Sequence, residues 1–230
     1  MTTQVWGPER TASVADELEG TPALDVVRWA LAEFGDGIVV ASSMQTAVLE
    51  DLVSRVRPGV PVVFLDTGYH FAETLGTRDA VRVAYPVRLI DVTPRRSVAE
   101  QDAEEGPRLF ERNPDRCCAL RKVEPLERAL AGYRAWITGL RRADSPSRAA
   151  TPLVEWDAKR SMVKVNPIAA WSDDELERYV EANGVIANPL LQLGYPSIGC
   201  EPCTRPVAPG EDARAGRWSG RTKTECGLHG

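Results

Sequence analysis

IVVASSMQTAVLEDLVSRVRPGVPVVFLDTG, residues 38–68, places two short β-rich runs on either side of a helical pattern. IVVASS (38–43) and PVVFLDTG (61–68) begin with unbroken apolar residues, as strands buried on both faces do. Between them, TAVLEDLVSRV carries its apolar residues at helical spacing. Strand, helix and strand in this order predict a βαβ unit with parallel strands.

The alternation continues outward. Upstream, Thr21 and Pro22 read as N-cap and first residue of a helix through LDVVRWALAEF, which Gly35 stops. Downstream come a helix around FAETLGTRDAVRV, a strand at PVRLIDV, helices from about 98 to 131 and a strand at AWITGL (135–140). LVEWDAKRSMVKV reads as an antiparallel hairpin, and Ser172 opens a capped helix that Gly184 ends. The expected class is α/β, a mostly parallel twisted sheet with helices on both faces. Residues 1–209 are expected to form one domain, followed by a turn-rich, mobile C-terminal tail over 210–230.

The chain has 230 residues, is 43% hydrophobic and carries a formal net charge of −5. That length supports one substantial core, and the acidic balance argues against a nucleic-acid partner. The first twenty residues lack the basic start and apolar run of a secretory signal, and no stretch has the length of a membrane span. A soluble cytoplasmic protein with no membrane partner is therefore expected. A homo-oligomer stays open.

In a reducing compartment, five cysteines are more readily metal ligands and a reactive thiol than disulfides. Cys200 and Cys203 have the C-x-x-C spacing that lets two thiolates face one metal centre. Cys117 and Cys118 are adjacent, so a disulfide between them would strain the backbone. Asn113 and Pro114 read as the N-cap and first residue of a helix, placing this pair near its electropositive end. Together the four suggest a [4Fe-4S] cluster, with a tetrathiolate zinc site as the rival. Cys226, in KTECGLHG, is left as a reactive-thiol candidate.

Three predicted strands end in polar residues, where open α/β sheets bind ligands: Ser42-Ser43, Asp66-Thr67-Gly68, and Thr138 to Arg142. The serines and following helix N–H groups suit a phosphate, and the arginines further anionic oxygens. His70, opening the next helix, reads as a capping or packing residue.

LDTGYHFAET, RCCALRKVEPL, TGLRRADSPSRA, VNPIAAWSDDEL, NPLLQLGYPSIGCEPCTRPV, RAGRW and ECGLH together resemble the assimilatory adenylyl-sulfate reductase family. This is the iron-sulfur branch of the phosphoadenylyl-sulfate reductases, and the likeness runs from about Ile38 to His229. It implies an adenine nucleotide α-hydrolase-like fold related to the ATP pyrophosphatases. It also implies reduction of adenosine 5'-phosphosulfate to sulfite and AMP, in sulfate assimilation and cysteine biosynthesis.

By the same resemblance, Cys226 is the nucleophile that attacks sulfur, forms S-sulfocysteine and expels AMP. Thioredoxin then releases sulfite through a mixed disulfide. Lys122 lies between cluster and phosphosulfate, while Arg141, Arg214, Arg217 and His229 hold sulfate and phosphate oxygens. Ser42 and Ser43 contact the 5'-phosphate, and the turn at Leu65 meets adenine. One departure is the loop ASSMQTAV, which has no glycine where the pyrophosphatases have a glycine-rich phosphate loop.

Three rival functions remain open: a phosphoadenylyl-sulfate reductase, a tRNA thiolation enzyme on the pyrophosphatase scaffold, and a zinc-stabilised binding or redox-sensing module. The missing glycine loop and the acidic balance speak against the thiolation enzyme.

Overall fold

The computed structural model describes residues 5–221, 223 and 225–229. Expectations that fall on 1–4, 222, 224 and 230 lie outside the described residues.

Six strands form one sheet: β1 (Ile38–Ser42), β2 (Pro61–Leu65), β3 (Arg88–Val92), β4 (Ala135–Ile137), β5 (Val154–Asp157) and β6 (Met162–Val165). Their order is β3-β2-β1-β4-β6-β5, parallel throughout except for β5, which runs antiparallel to β6. The strand 135–140 is shorter than expected. It stops at Ile137, where the chain turns into the ligand-facing loop.

Helices cover both faces, and strand periodicity assigns them. Ile38, Val40, Val62 and Phe64 point to one side, packed with Val26, Val27 and Phe34 of α2 (Ala23–Phe34) and Leu49, Leu52 and Val53 of α3 (Val48–Val56). Val39, Val63 and Trp136 point to the other, against Leu126 and Leu130 of α8 (Glu124–Leu130). A helix over Pro8–Leu18 (α1) lies upstream of the expected ones, in a segment whose mostly polar composition masks a single packed face. The expected cap Thr21 accepts no capping bond; α2 begins after Pro22 instead.

α4 (Ala72–Ala84) follows β2 and α5 (Val98–Glu105) follows β3. The region from 98 to 131 is then broken into α5, α6 (Leu109–Arg112), α7 (Pro114–Cys118) and α8, with Ala119–Val123 as one π turn joining α7 to α8. Such i→i+5 turns often occur at functional sites. α9 (Asp173–Asn183) carries the capping box expected at Ser172 and ends at Gly184. Among the described residues, no helix is long and apolar enough to cross a membrane.

Glu50 of α3 is fully buried, and among the described residues neither of its carboxyl oxygens has a hydrogen-bond partner within normal geometry. Burial raises its pKa from 4.5 to about 7, and the neighbouring Ser42 hydroxyl offsets this only in part. The acid is thus mostly neutral in the fold below about pH 7. The stabilisation this gives is fully present below 4.5 and is lost as the pH rises through about 7. The loss is on the order of 3 kcal/mol. Glu50→Gln is expected to remove that slope, so that wild type loses more urea resistance than the variant between about pH 5 and about pH 8. Identical pH dependence in the two proteins would refute it.

Candidate active site

Strand order reverses between β1 and β4: β2 and β3 lie on one side of β1, while β6 and β5 lie beyond β4. A crevice opens at the carboxyl ends of such a pair. It holds a cavity of about 350 Å³. Ser42 and Ser43 at the end of β1, Leu65 and Thr67 at the end of β2, and Thr138 to Arg141 after β4 all line it.

The β1–α3 loop turns without glycine. Met44 takes the left-handed conformation (φ 59°) while fully buried, a backbone state that persists where its surroundings enforce it. Here the Met44 N–H donates to Ser42 Oγ at 3.4 Å. Asn188 Nδ2 donates to the Met44 carbonyl at 3.3 Å, and Gln45 bonds the backbone of Pro196 and Ile198 at 3.1 Å each. The loop's shape is therefore fixed by partners some 150 residues away, and α3 starts with no side chain capping it.

The expected tail does not extend from the body. The Arg205 N–H donates to the Gly216 carbonyl and the Trp218 N–H to the Cys203 carbonyl, each at 3.0 Å. Lys223 pairs with Asp115 of α7. Arg214, Arg217, Cys226 and His229 thereby come to line the same cavity as the strand-end residues. Arg217 Nη1 donates to Ser197 Oγ and the Ile198 carbonyl at 3.2 and 3.3 Å. It passes so close to Gly199 that a Cβ there would sit 2.3 Å from the guanidinium.

Arg141 is buried. Its Nη2 donates to Asp144 (2.9 Å) and Asp173 (2.8 Å), and its Nη1 has no hydrogen-bond partner among the described residues. Arg214 donates to Glu225 at 3.2 Å, and burial, with Arg148 nearby, lowers its pKa. The His229 ring stacks on Trp136, 5.6 Å away and tilted by 8°. Burial, and then the charges of Lys164, Arg148, Arg160 and Arg214, push its pKa well below the ordinary histidine value. It is a neutral imidazole at pH 7 and offers a hydrogen bond rather than a charge.

All four remaining cysteines line a second, small cavity of about 10 Å³. Asn113 caps α7 as expected, its side chain accepting from the Arg116 N–H at 3.0 Å, and Cys117 and Cys118 follow in that helix's first turns. Cys200 precedes a 3-10 turn, Glu201–Cys203, and Cys203 is its last residue. Burial, aided by mutual repulsion, raises Cys117 to about 12 and Cys203 to about 11. Clustered thiolates here thus need a compensating cation.

Among the described residues, no three His, Cys, Asp or Glu side chains are grouped as for a single metal ion. The donor chemistry nevertheless fits a cluster. Four sulfurs share one cavity with two buried donors that lack partners among the described residues, Tyr69 OH and Trp218 Nε1. Thr67 Oγ1 lies 3.4 Å from Cys200 Sγ. Hydrogen bonds of this kind to sulfur accompany iron-sulfur sites.

Lys122 lines both cavities. It is buried and makes no hydrogen bond or ion pair among the described residues. Burial works against its charge, but Cys200, Cys226 and Cys118 outweigh burial and hold its pKa above the ordinary lysine value. The π turn aims it. Its neighbour Arg121 turns the other way, donating to the Thr67 carbonyl and, at 3.1 Å, to Gln101 Oε1, which anchors the turn.

Sequence reasoning gave no site role to several cavity residues, among them His70, Arg148 and Glu225. His70 does not cap α4, whose N-cap is Phe71; its Nε2 meets the Leu65 carbonyl at 2.8 Å and the ring lines the cavity. Arg148 and Glu225 also line it, as a pair. TGLRRADSPSRA and ECGLH contain both residues, but nothing local signals that they meet.

Residues 37–206 match the family described as phosphoadenosine phosphosulfate reductase domain. A Streptomyces coelicolor protein named adenosine 5'-phosphosulfate reductase is 63% identical over 93% of this chain and 91% of its own. One of the same name from Mycolicibacterium smegmatis is 57% identical over 94% and 91%. The crystal structure of a phosphoadenylyl-sulfate reductase from Candida auris, in complex with phosphate, superposes with TM-score 0.78 at 30% identity, covering 87% of this chain and 98% of that one. Candida glabrata FMN adenylyltransferase shares the fold alone, with TM-score 0.58 at 13% identity over 82% of this chain and 66% of that one.

Proposed function

The chain belongs to the phosphoadenosine phosphosulfate reductase family, and on that footing we propose that it reduces adenosine 5'-phosphosulfate to sulfite and AMP, with thioredoxin as reductant. The observation that carries this reading is one cavity lined by a thiol, Cys226, and by the cations Lys122 and Arg141. A nucleophile beside buried cations suits attack on an anionic sulfuryl group.

The Cys226 thiolate attacks the sulfur of the phosphosulfate. An S–S bond forms, the S–O bond to phosphate breaks, and AMP leaves. A thioredoxin thiolate then attacks Cys226 Sγ and releases sulfite. Its second thiol resolves the mixed disulfide, so the dithiol supplies both electrons. Lys122, Arg141 and Arg217 neutralise the anionic oxygens, with Arg214 and neutral His229 beside them. Ser42 and Ser43 hold the 5'-phosphate near the start of α3, and adenine lies against the β2 end at Leu65. The tail opens between the two half-reactions, because the same sulfur must meet substrate inside and thioredoxin outside.

Cys117, Cys118, Cys200 and Cys203 would hold a [4Fe-4S] cluster, which supplies a fixed charged centre beside Lys122. The 3'-phosphorylated nucleotide is the competing substrate, and two facts favour the unphosphorylated one. The bacterial relatives at 57–63% identity carry its name, and the cluster cysteines are present. Anaerobic turnover of the two nucleotides by the purified protein with thioredoxin tests the choice. A clear preference for adenosine 5'-phosphosulfate is expected; preference for the 3'-phosphorylated form would overturn it.

A further inference from the structure

Glu225, the residue before Cys226, is held by more charge than a loop needs. Arg148 grips it as a fork, Nε donating to Oε1 at 3.0 Å and Nη2 to Oε2 at 2.8 Å. Arg214 Nη2 donates to the same Oε2 at 3.2 Å. Arg148 is braced in turn by Asp144 Oδ2 at 3.1 Å, and the other oxygen of Asp144 meets Arg141 at 2.9 Å. The fork joins residues 77 apart in sequence, tying the loop after β4 to the tail. Beyond Cys226, Gly227 turns the chain at φ 77° and His229 stacks on Trp136. The thiol is thus anchored on both sides.

We propose that Arg148, acting through Glu225, is a positioning residue that latches the tail shut with Cys226 in the cavity. The proposal rests on the reading of Cys226 as the nucleophile. Forked Arg–carboxylate bonds are strong and fix direction as well as distance. Both side chains are largely shielded, 15% and 33% exposed, so removing either takes the other's forked partner away in a place of limited solvation and leaves only the weaker contact to Arg214 or Asp144. The latch also divides the cations of the cavity. Arg148 and Arg214 face the Glu225 carboxylate, whereas Lys122 lines the cavity without such a partner among the described residues. Opening the tail to a reductant requires the fork to break, and reclosing restores it.

The test is the alkylation rate of Cys226 by iodoacetamide, read by peptide mass spectrometry on full-length, anaerobically purified protein without substrate. Glu225→Gln and Arg148→Leu are each expected to speed alkylation roughly tenfold, and Arg148→Lys by less. The double variant is expected to be no faster than the faster single, because both changes break one contact. Turnover is expected to show a fall in kcat with little change in KM, because Arg148 acts on the tail rather than the substrate. Wild-type alkylation in both singles, additive effects in the double variant, or a raised KM with unchanged kcat would overturn the proposal. The thiol-exposure readout does not depend on Cys226 being the nucleophile. If Cys226→Ser kept full turnover, the catalytic reading would fail while alkylation still reported on the latch.

Discussion

Cys226→Ser is expected to lower sulfite formation by at least about a thousandfold while leaving iron content and AMP binding unchanged. Serine preserves shape and some hydrogen bonding, but its hydroxyl stays protonated at neutral pH, whereas a cysteine thiol supplies a usable fraction of thiolate. No other thiol can substitute. Cys117, Cys118 and Cys200 are buried in the second cavity and Cys203 borders it, on the far side of Lys122. The cations that would receive the substrate do not depend on the Cys226 sulfur. Lys122 is carried by the π turn, and Arg141 by Asp144 and Asp173. Binding and chemistry should therefore separate. Nucleotide affinity is read by calorimetry with AMP, and turnover by sulfite release. A variant that keeps producing sulfite would remove Cys226 from the mechanism.

Cys200→Ala should act at the other cavity, with a different signature. It is expected to lose most of its iron and labile sulfide and, with them, turnover. Its Tm should fall by roughly 10 °C, because a group bound only by the folded state stabilises that state. The physical reason is local. Cys200 is buried, its Sγ lies 3.4 Å from Thr67 Oγ1, and its carbonyl accepts from Thr204 Oγ1 at 2.8 Å. Losing that donor leaves three thiols whose burial disfavours the thiolate form. Metal analysis, visible absorbance and thermal melts check the expectation. Zinc without sulfide in the wild-type protein would restore the tetrathiolate-zinc reading, and unchanged iron in the variant would take Cys200 out of the ligand set.

The two variants bracket Lys122, which touches both cavities, and they show what the sequence could and could not convey. The sheet was legible because its signals are local. Runs such as IVVAS and PVVFL are apolar on both faces, and the Ser172 capping box and the Asn113-Pro114 start lie within a few residues of the structure they specify. The cysteine spacing was equally local, and the four thiols it singled out do share one cavity.

What sequence missed depends on distant partners or leaves no compositional mark. ALRKV has ordinary helix formers, so nothing distinguishes a π turn from an α turn there, although that turn aims Lys122 and Arg121 apart. Met44 is an unlikely residue for a positive φ, and it is held there by Asn188 and the loop at 196–198 rather than by its neighbours. The last twenty residues are rich in turn formers, which suggests a free tail. The described residues among them pack through Glu225 on Arg148, Lys223 on Asp115 and His229 on Trp136. His70, which precedes a helix, reads as a capping or packing residue, and it packs rather than caps. Its ring lies over Phe64, at 4.9 Å, on the cavity wall.

The central claim is that Cys226 takes the sulfuryl group before any reductant is involved. Incubating anaerobically purified protein with adenosine 5'-phosphosulfate and no thiol, then measuring intact and peptide masses, tests it most directly. The predicted result is one SO₃ group on the Cys226 peptide with an equal amount of AMP released, discharged as sulfite when thioredoxin is added. AMP release without an adduct, or an adduct on any other cysteine, would contradict it.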